Sequence, residues 1–265
     1  MDYQSQTSEA NRLLRTLSRP DYERLLPHLE QIALKVGDVL AAENEPFTHV
    51  YFPETGVASV TNKISGGTVE VGTVGNEGIV GLSVYLDPGV GIPSRTFIQV
   101  PGCGKRITAS AFSALADESP EFRRVVNQYA QAYLIQVAQT AACNRAHSVD
   151  QRCARWLLMT HDRVGDSLTF PLTHQFLAYM LGVRRAGVTV AAGILQKAGL
   201  IRYSRGNITV LNRDGLEAAS CECYGIVRKH VDRLTGHERG QKPGGRADVG
   251  GRVQTIGLMP VSDLA

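Results

Sequence analysis

Not one aspartate or glutamate occurs from Leu172 to Arg213, a run of 42 residues (213 − 172 + 1) in a chain with 25 acidic residues. The same run holds six cations: Arg184, Arg185, Lys197, Arg202, Arg205 and Arg213. It therefore carries +6, and the formal net charge of +3 leaves −3 (3 − 6) for the rest. A solvated basic face ordinarily mixes both signs. A block with cations alone points to a polyanion, whose phosphates release counterions when neutralised.

Other absences narrow the class. No apolar run approaches the ~20 residues of a membrane-spanning helix, so no membrane partner is expected. The start, "MDYQSQTSEANR", has no apolar segment of the kind a secretion signal needs, and a cytoplasmic location is expected. Cysteine is scarce and odd in number: Cys103, Cys143, Cys153, Cys221 and Cys223. In that compartment they are expected as reduced thiols. None precedes Cys103, which removes the usual N-terminal ligands of an iron–sulfur sensor. Cys221-Glu222-Cys223 is too sparse for a cluster on its own and is read as packing, with a vicinal redox switch as the alternative.

Catalytic signatures are missing as well. There is no G-x-S-x-G, H-E-x-x-H or G-x-x-x-x-G-K-[ST]. The seven histidines are dispersed; His147 and His161 are too far apart for one helical turn, with no carboxylate pair near either, and no His-x-His occurs in the candidate strands. No catalytic residue, metal site or cofactor is expected, and the chain is not read as an enzyme.

What is present has a clear order. "SRPDYERLLPHLE" offers Ser18 as a helix cap with Pro20 in the first turn. From about Ile32, turn signals such as Gly37-Asp38, Pro53 to Gly56 and Asp87-Pro88-Gly89 separate short segments rich in β-branched and aromatic residues. "HVYFP", "GVASVT", "TVEVGTV" and "RTFIQV" are among them, and such spacing predicts a β-sandwich or barrel. After Pro120 the period becomes helical, with Phe122, Val126, Tyr129, Tyr133 and Val137 on one face. Between Ala130 and Ala138 only Gln131 and Gln136 are polar, so this helix needs cover on two sides. The β-domain is expected on one and the same helix of a second subunit on the other. "SVDQRCARWLLMTHDRVG" predicts another amphipathic helix, with Val149, Cys153, Trp156 and Leu157 on its buried face. Beyond Gly236 the glycine-rich tail carries no pattern and is expected to be disordered.

The acid-free block has its own grammar. Thr173 can cap a helix through Leu181, Gly182 ends it, and a second helix starts near Arg184 and runs to about Lys197. Ala178 allows close approach and Gly182 supplies the turn of a helix-turn-helix. At 100° per residue, Val188, Ala191, Ala192 and Leu195 share a core face in the second helix. Ala186, Thr189, Val190, Gly193 and Lys197 fall opposite, with Arg185 at the edge. A small, slightly apolar face opened by arginines suits a major groove, where methyl groups meet thymine and arginine reads guanine or phosphate. "GLIRYSRGNITVLN" then predicts a hairpin with Arg205 at its tip, which makes the unit a winged helix.

In this order of parts the chain resembles the Crp/Fnr transcription regulators over roughly residues 10–235. "VGNEGIVGLSVYL" and "IPSRTFIQVPG" resemble the nucleotide-binding cassette of the cyclic-nucleotide-binding β-roll, and "LTHQFLAYMLGVRRAGVTVAAGILQKAGLI" resembles the family's helix-turn-helix. The resemblance implies an α+β chain: a jelly-roll sensor domain (double-stranded β-helix) at 1–118, a dimerisation helix at 119–146, a winged helix-turn-helix at 147–235 and a tail at 236–265. It implies a homodimer on a two-fold site in double-stranded DNA, a small-molecule effector, and RNA polymerase among the candidate partners. The candidate DNA-contacting residues are Thr173, Gln175, Arg184, Arg185, Thr189, Val190, Lys197 and Arg205; the candidate effector residues are Gly81, Leu82, Ser94, Arg95 and Thr96.

Two departures qualify what is implied. In cyclic-nucleotide binders a Gly-Glu pair supplies a carboxylate to the ribose hydroxyl, but here Leu82 follows Gly81. Losing a charged acceptor for a buried hydroxyl costs ~1.5–3 kcal/mol, so cAMP is not the expected effector although Ser94, Arg95 and Thr96 keep the arginine side. Family members often read DNA through Arg-Glu-x-x-x-Arg; here Arg185 is kept, with Ala186 and Val190 in the other two slots. The alternative reading is a ligand-binding signalling module whose winged helix contacts protein.

Overall fold

The computed structural model describes Gln6 and residues 9–65, 67–165 and 167–236; most of the glycine-rich tail lies outside them. Ser18 caps helix α1 (Arg19–Leu25), its hydroxyl accepting from the Asp21 amide. Seven strands follow: β1 (Glu30–Leu34), β2 (Val39–Ala41), β3 (His49–Pro53), β4 (Val57–Ile64), β5 (Gly67–Val74), β6 (Ser94–Val100) and β7 (Gly102–Thr108). They form two antiparallel sheets of order β1-β7-β3 and β2-β6-β4-β5, a β-sandwich whose core includes Phe52, Ile98 and Ile107. A short helix α2 (Ser83–Leu86) follows β5, and α3 (Ala109–Glu118) follows β7.

The long helix α4 (Pro120–Ala146) starts with proline in its first turn and is capped by Ser119. Its first half buries Phe122, Val125, Val126 and Tyr129, and Tyr129 donates to the Ile79 carbonyl at 2.9 Å. A Cβ on Gly78 would stand 2.0 Å from the Tyr129 ring, so glycine there is what lets the helix seat on the roll. The second side of α4 is covered differently from the expectation. Helix α9 (Cys223–Thr235), near the end of the described chain, runs along it, with Arg233 and Leu234 beside Gln131, Ala132 and Ile135. One strip stays open: Gln131, Leu134, Ala138 and Ala141, with Leu134 66% exposed.

Helix α5 (Val149–His161) was expected to bury one stripe, yet every residue from Cys153 to Thr160 is buried. The reason is that it packs on three partners. Trp156 donates to Glu70 on β5, Arg155 to Thr140 on α4, and the C-terminal head covers the rest. This head comprises α6 (His174–Leu181), α7 (Arg185–Lys197), α8 (Arg213–Ala219) and a sheet of order β8-β10-β9: β8 (Thr169–Pro171), β9 (Ile201–Ser204) and β10 (Asn207–Val210). Among the described residues no single helix is long and apolar enough to cross a membrane.

Candidate nucleic-acid interface and effector cavity

Thr173 caps α6, its hydroxyl accepting from the Phe176 amide at 3.2 Å. Gly182 then adopts φ 59°, a left-handed conformation that glycine takes without strain, and α7 leaves at 102° to α6. Val188, Ala191, Ala192 and Leu195 are buried beneath α7. Its opposite face is exposed at Arg185, Ala186, Thr189, Val190 and Lys197, with Val190 63% exposed. Thr189 accepts or donates at 3.3 Å to His174, whose ring stacks on Tyr203 of the wing. Gln196 accepts from the Tyr203 amide at 2.9 Å, so the second helix and the wing are held as one surface.

The wing turns at Arg205 and Gly206, both with positive φ (50° and 79°), as a two-residue hairpin of matching twist requires. Arg205 stands exposed at this tip. Among the described residues Arg184, Arg185, Lys197, Arg202 and Arg205 make no ion pair, while Arg213 is held by Asp162 and Glu217. Thr173 and Gln175 are exposed at the start of α6, so all eight candidate DNA-contacting residues are solvent-accessible on the C-terminal head. Gln175, Arg184 and Arg185 also line a groove against Ile64, Thr68 and Val69, the tip of the β4–β5 hairpin.

The five candidate effector residues separate. Gly81, Leu82 and Thr96 line a cavity of about 550 Å³ between the roll and α4. Ser94 turns aside and donates to Asn62 at 2.5 Å. Arg95 is exposed on the outer side of β6, its guanidinium 5.3 Å above the Phe97 ring, so the expected arginine side of the pocket is not there. The cause is strand alternation: Arg95 and Thr96 are neighbours on β6 and point to opposite faces. Among the described residues no charged side chain lines the cavity, whose walls are mostly apolar (Phe47, Val60, Val74, Tyr133, Leu134), with Ser83 and Gln131 also among them. Thr96 keeps a buried hydroxyl without a partner. The nearest acid in the sequence, Glu77, is engaged elsewhere: it accepts from the Gly75 amide and pairs with buried Arg163 at 2.7 Å.

Sequence reasoning missed one constellation. Cys143, His147, Cys221 and Cys223 converge, with one ligand atom of each within 4.8 Å of all the others. The glutamate between the two cysteines, Glu222, reaches the Nε2 of His147 at 3.2 Å. Hydrogen bonding from Cys221 holds the Cys143 thiol well below its usual value against the effect of burial, and the Arg155 cation adds to it. The signals were a Cys-x-x-x-His spacing at the end of one helix and the C-x-C pair; their meeting depends on α9 folding back along α4.

Comparison with known proteins agrees with this architecture. Residues 151–219 match the family model of the Crp-like helix-turn-helix domain. A search of curated protein sequences finds no match. Among solved structures, FixK2 from Bradyrhizobium japonicum is similar at 16% identity, over 73% of this chain and 98% of that one, with a TM-score of 0.62. A Crp/Fnr-family transcriptional regulator from Eubacterium rectale is similar at 19% identity, over 78% and 96%, with a TM-score of 0.58. The c-di-GMP-responsive global regulator CLP of Xanthomonas campestris is similar at 16% identity, over 73% and 99%, with a TM-score of 0.55. At such identities the likeness is one of fold.

Proposed function

Starting from a chain with a Crp-like helix-turn-helix domain on a Crp/Fnr-type fold, we propose that it is a DNA-binding transcription regulator acting as a homodimer on a two-fold site. One observation carries the reading. The exposed face of α7 is small and uncharged at Ala186, Thr189 and Val190, and it is ringed by cations that make no ion pair among the described residues. Such a face enters a major groove without steric cost, and the surrounding arginines and lysine meet phosphates. Arg185 reads a base at the groove end of the helix, Arg205 positions the wing on the backbone, and Arg184 with Lys197 adds phosphate contacts. Retention of random-sequence duplex at two salt concentrations tests this. Affinity is expected to fall steeply with salt, because several phosphates are neutralised per subunit. A weak, salt-independent retention would instead favour a winged helix that contacts protein.

The effector belongs to a different class from a cyclic nucleotide. Among the described residues the cavity has no cation for a phosphate and no carboxylate for a ribose, and its walls are mostly aliphatic and aromatic. A largely apolar, uncharged molecule with one polar group for the Thr96 hydroxyl suits it. Calorimetric titration with cAMP is expected to give no binding at micromolar nucleotide. Tight binding would place a charged group in the cavity and overturn this assignment.

A further inference from the structure

We propose that Cys143, His147, Cys221 and Cys223 form a tetrahedral zinc site that staples the end of the long helix to the start of the C-terminal helix. The four ligands come from two places 74 residues apart (221 − 147). Cys143 lies on the last turns of α4 and His147 just follows it; Cys221 precedes α9 and Cys223 is its first residue. All three cysteines are buried, with Cys143 and Cys223 at 0% exposure, and they form a small core of their own. A closed, thiolate-rich site of this kind is the habit of structural zinc.

The distances fit one ion. The Cys143 and Cys221 sulfurs are 3.5 Å apart, and the Cys223 sulfur is 3.6 Å from Nδ1 of His147. Bond lengths of about 2.3 Å to sulfur and about 2.0–2.1 Å to nitrogen give tetrahedral edges of roughly 3.8 and 3.6 Å. The four protein ligands of an iron–sulfur cluster are shared among two or four iron atoms, so the set as a whole spreads wider than one tetrahedron, whereas here all four ligand atoms lie within 4.8 Å of one another. Three thiolates and an imidazole also exclude magnesium and calcium, which take oxygen ligands.

The surroundings are those of a ligand set. Glu222 accepts from Nε2 of His147, which fixes the proton on that nitrogen and leaves the Nδ1 lone pair facing the sulfurs. Gln139 donates to the Cys223 sulfur at 3.1 Å. Three thiolates around Zn²⁺ leave one net negative charge, and Arg155 is placed to balance it. That arginine is 6% exposed, donates to the Thr140 hydroxyl and, among the described residues, forms no ion pair with a carboxylate. The staple sits where α4 hands over to α5, since Ser148, the next residue after His147, caps α5. A metal there fixes the orientation of the C-terminal head relative to the long helix.

The test uses the full-length chain, purified under reducing conditions without chelator. Elemental analysis is expected to find a single zinc per chain, lost in Cys143→Ser and Cys221→Ser and kept in Cys103→Ser and Cys153→Ser. Should the first two variants fail to fold, the wild type still decides. Chelator-stripped protein titrated with Co²⁺ is expected to give thiolate-to-cobalt charge transfer and the intense visible bands of a tetrahedral ion, saturating at one equivalent and displaced by Zn²⁺. Absence of zinc in the isolated protein together with weak, octahedral cobalt spectra would overturn the proposal. So would a mass lower by two hydrogens from a Cys143–Cys221 disulfide in the protein as isolated, before any chelator treatment, or iron and acid-labile sulfide in place of zinc.

Discussion

At the scale of single residues, the most informative group is Glu70. It is buried on β5, accepting from Ser59 at 2.6 Å and from the Trp156 indole at 2.8 Å. Burial pushes its carboxyl up to about 7, against the pull of those two hydrogen bonds and of Arg163 and Arg155. A folded value above the unfolded one means that the native state holds the proton more tightly. The associated stability is complete below the unfolded value near 4.5 and is lost as pH rises through about 7. Over that span the loss is on the order of 3 kcal/mol. Glu70→Gln keeps an acceptor for Trp156 and cannot ionise. Denaturant unfolding at pH 5 and pH 8 is therefore expected to show wild type losing stability relative to the variant as pH rises; an unchanged difference would mean that Glu70 does not titrate in this window.

Residue by residue, the sequence was readable where a period governs and opaque where distant segments meet. The faces of α7 follow from 100° per residue, and Gly182 and Arg205 stand at the turns that their neighbours predict. Arg95 is exposed on the face of β6 opposite Thr96, as strand alternation dictates, so of the two only Thr96 lines the cavity. The zinc ligands lay beyond reach: Cys143 and Cys221 are joined only by the packing of α9 on α4.

At the scale of elements, α4 is the pivot. Its contacts with the roll and with α9 leave Gln131, Leu134, Ala138 and Ala141 open at alternating steps of three and four. That is the seam spacing of a two-stranded coiled coil, with one large apolar residue and two small ones that let the helices approach. Helix α9 takes part of the surface assigned from sequence to a second subunit. Leu134 also borders the apolar cavity, so a partner helix on this seam would close it. Sedimentation at micromolar concentration is expected to give twice the chain mass for wild type and the single mass for Leu134→Glu, which sets like charges against each other at the seam. A monomeric wild type that still binds DNA would remove the dimer from the account.

The β4–β5 hairpin links this region to the C-terminal head. Its base supplies Val60 and Val74 to the cavity, and its tip supplies Ile64, Thr68 and Val69 to the groove beside Arg184 and Arg185. A fold-level pattern of short strands announced the sandwich; which strand tip meets which helix follows from tertiary packing and has no signature in either segment alone.

At the scale of the whole molecule, three features line up along α4: an apolar cavity beneath it, a cysteine–histidine cluster at its far end, and a cationic C-terminal head beyond. On the proposed function, α7 enters the major groove and the wing positions it on the backbone. The most direct measurement is the affinity of wild type, Arg185→Ala and Arg205→Ala for a site selected from a random pool and for random duplex, across a salt series. Arg185→Ala is expected to lose ~1–3 kcal/mol on the selected site, with base preference relaxed at one position per half-site. Arg205→Ala is expected to weaken both DNAs alike and to make the salt dependence shallower by roughly one phosphate contact per subunit. Equal losses on both DNAs for Arg185→Ala would deny it a base contact, and no change in either variant would contradict the claim that this surface binds DNA.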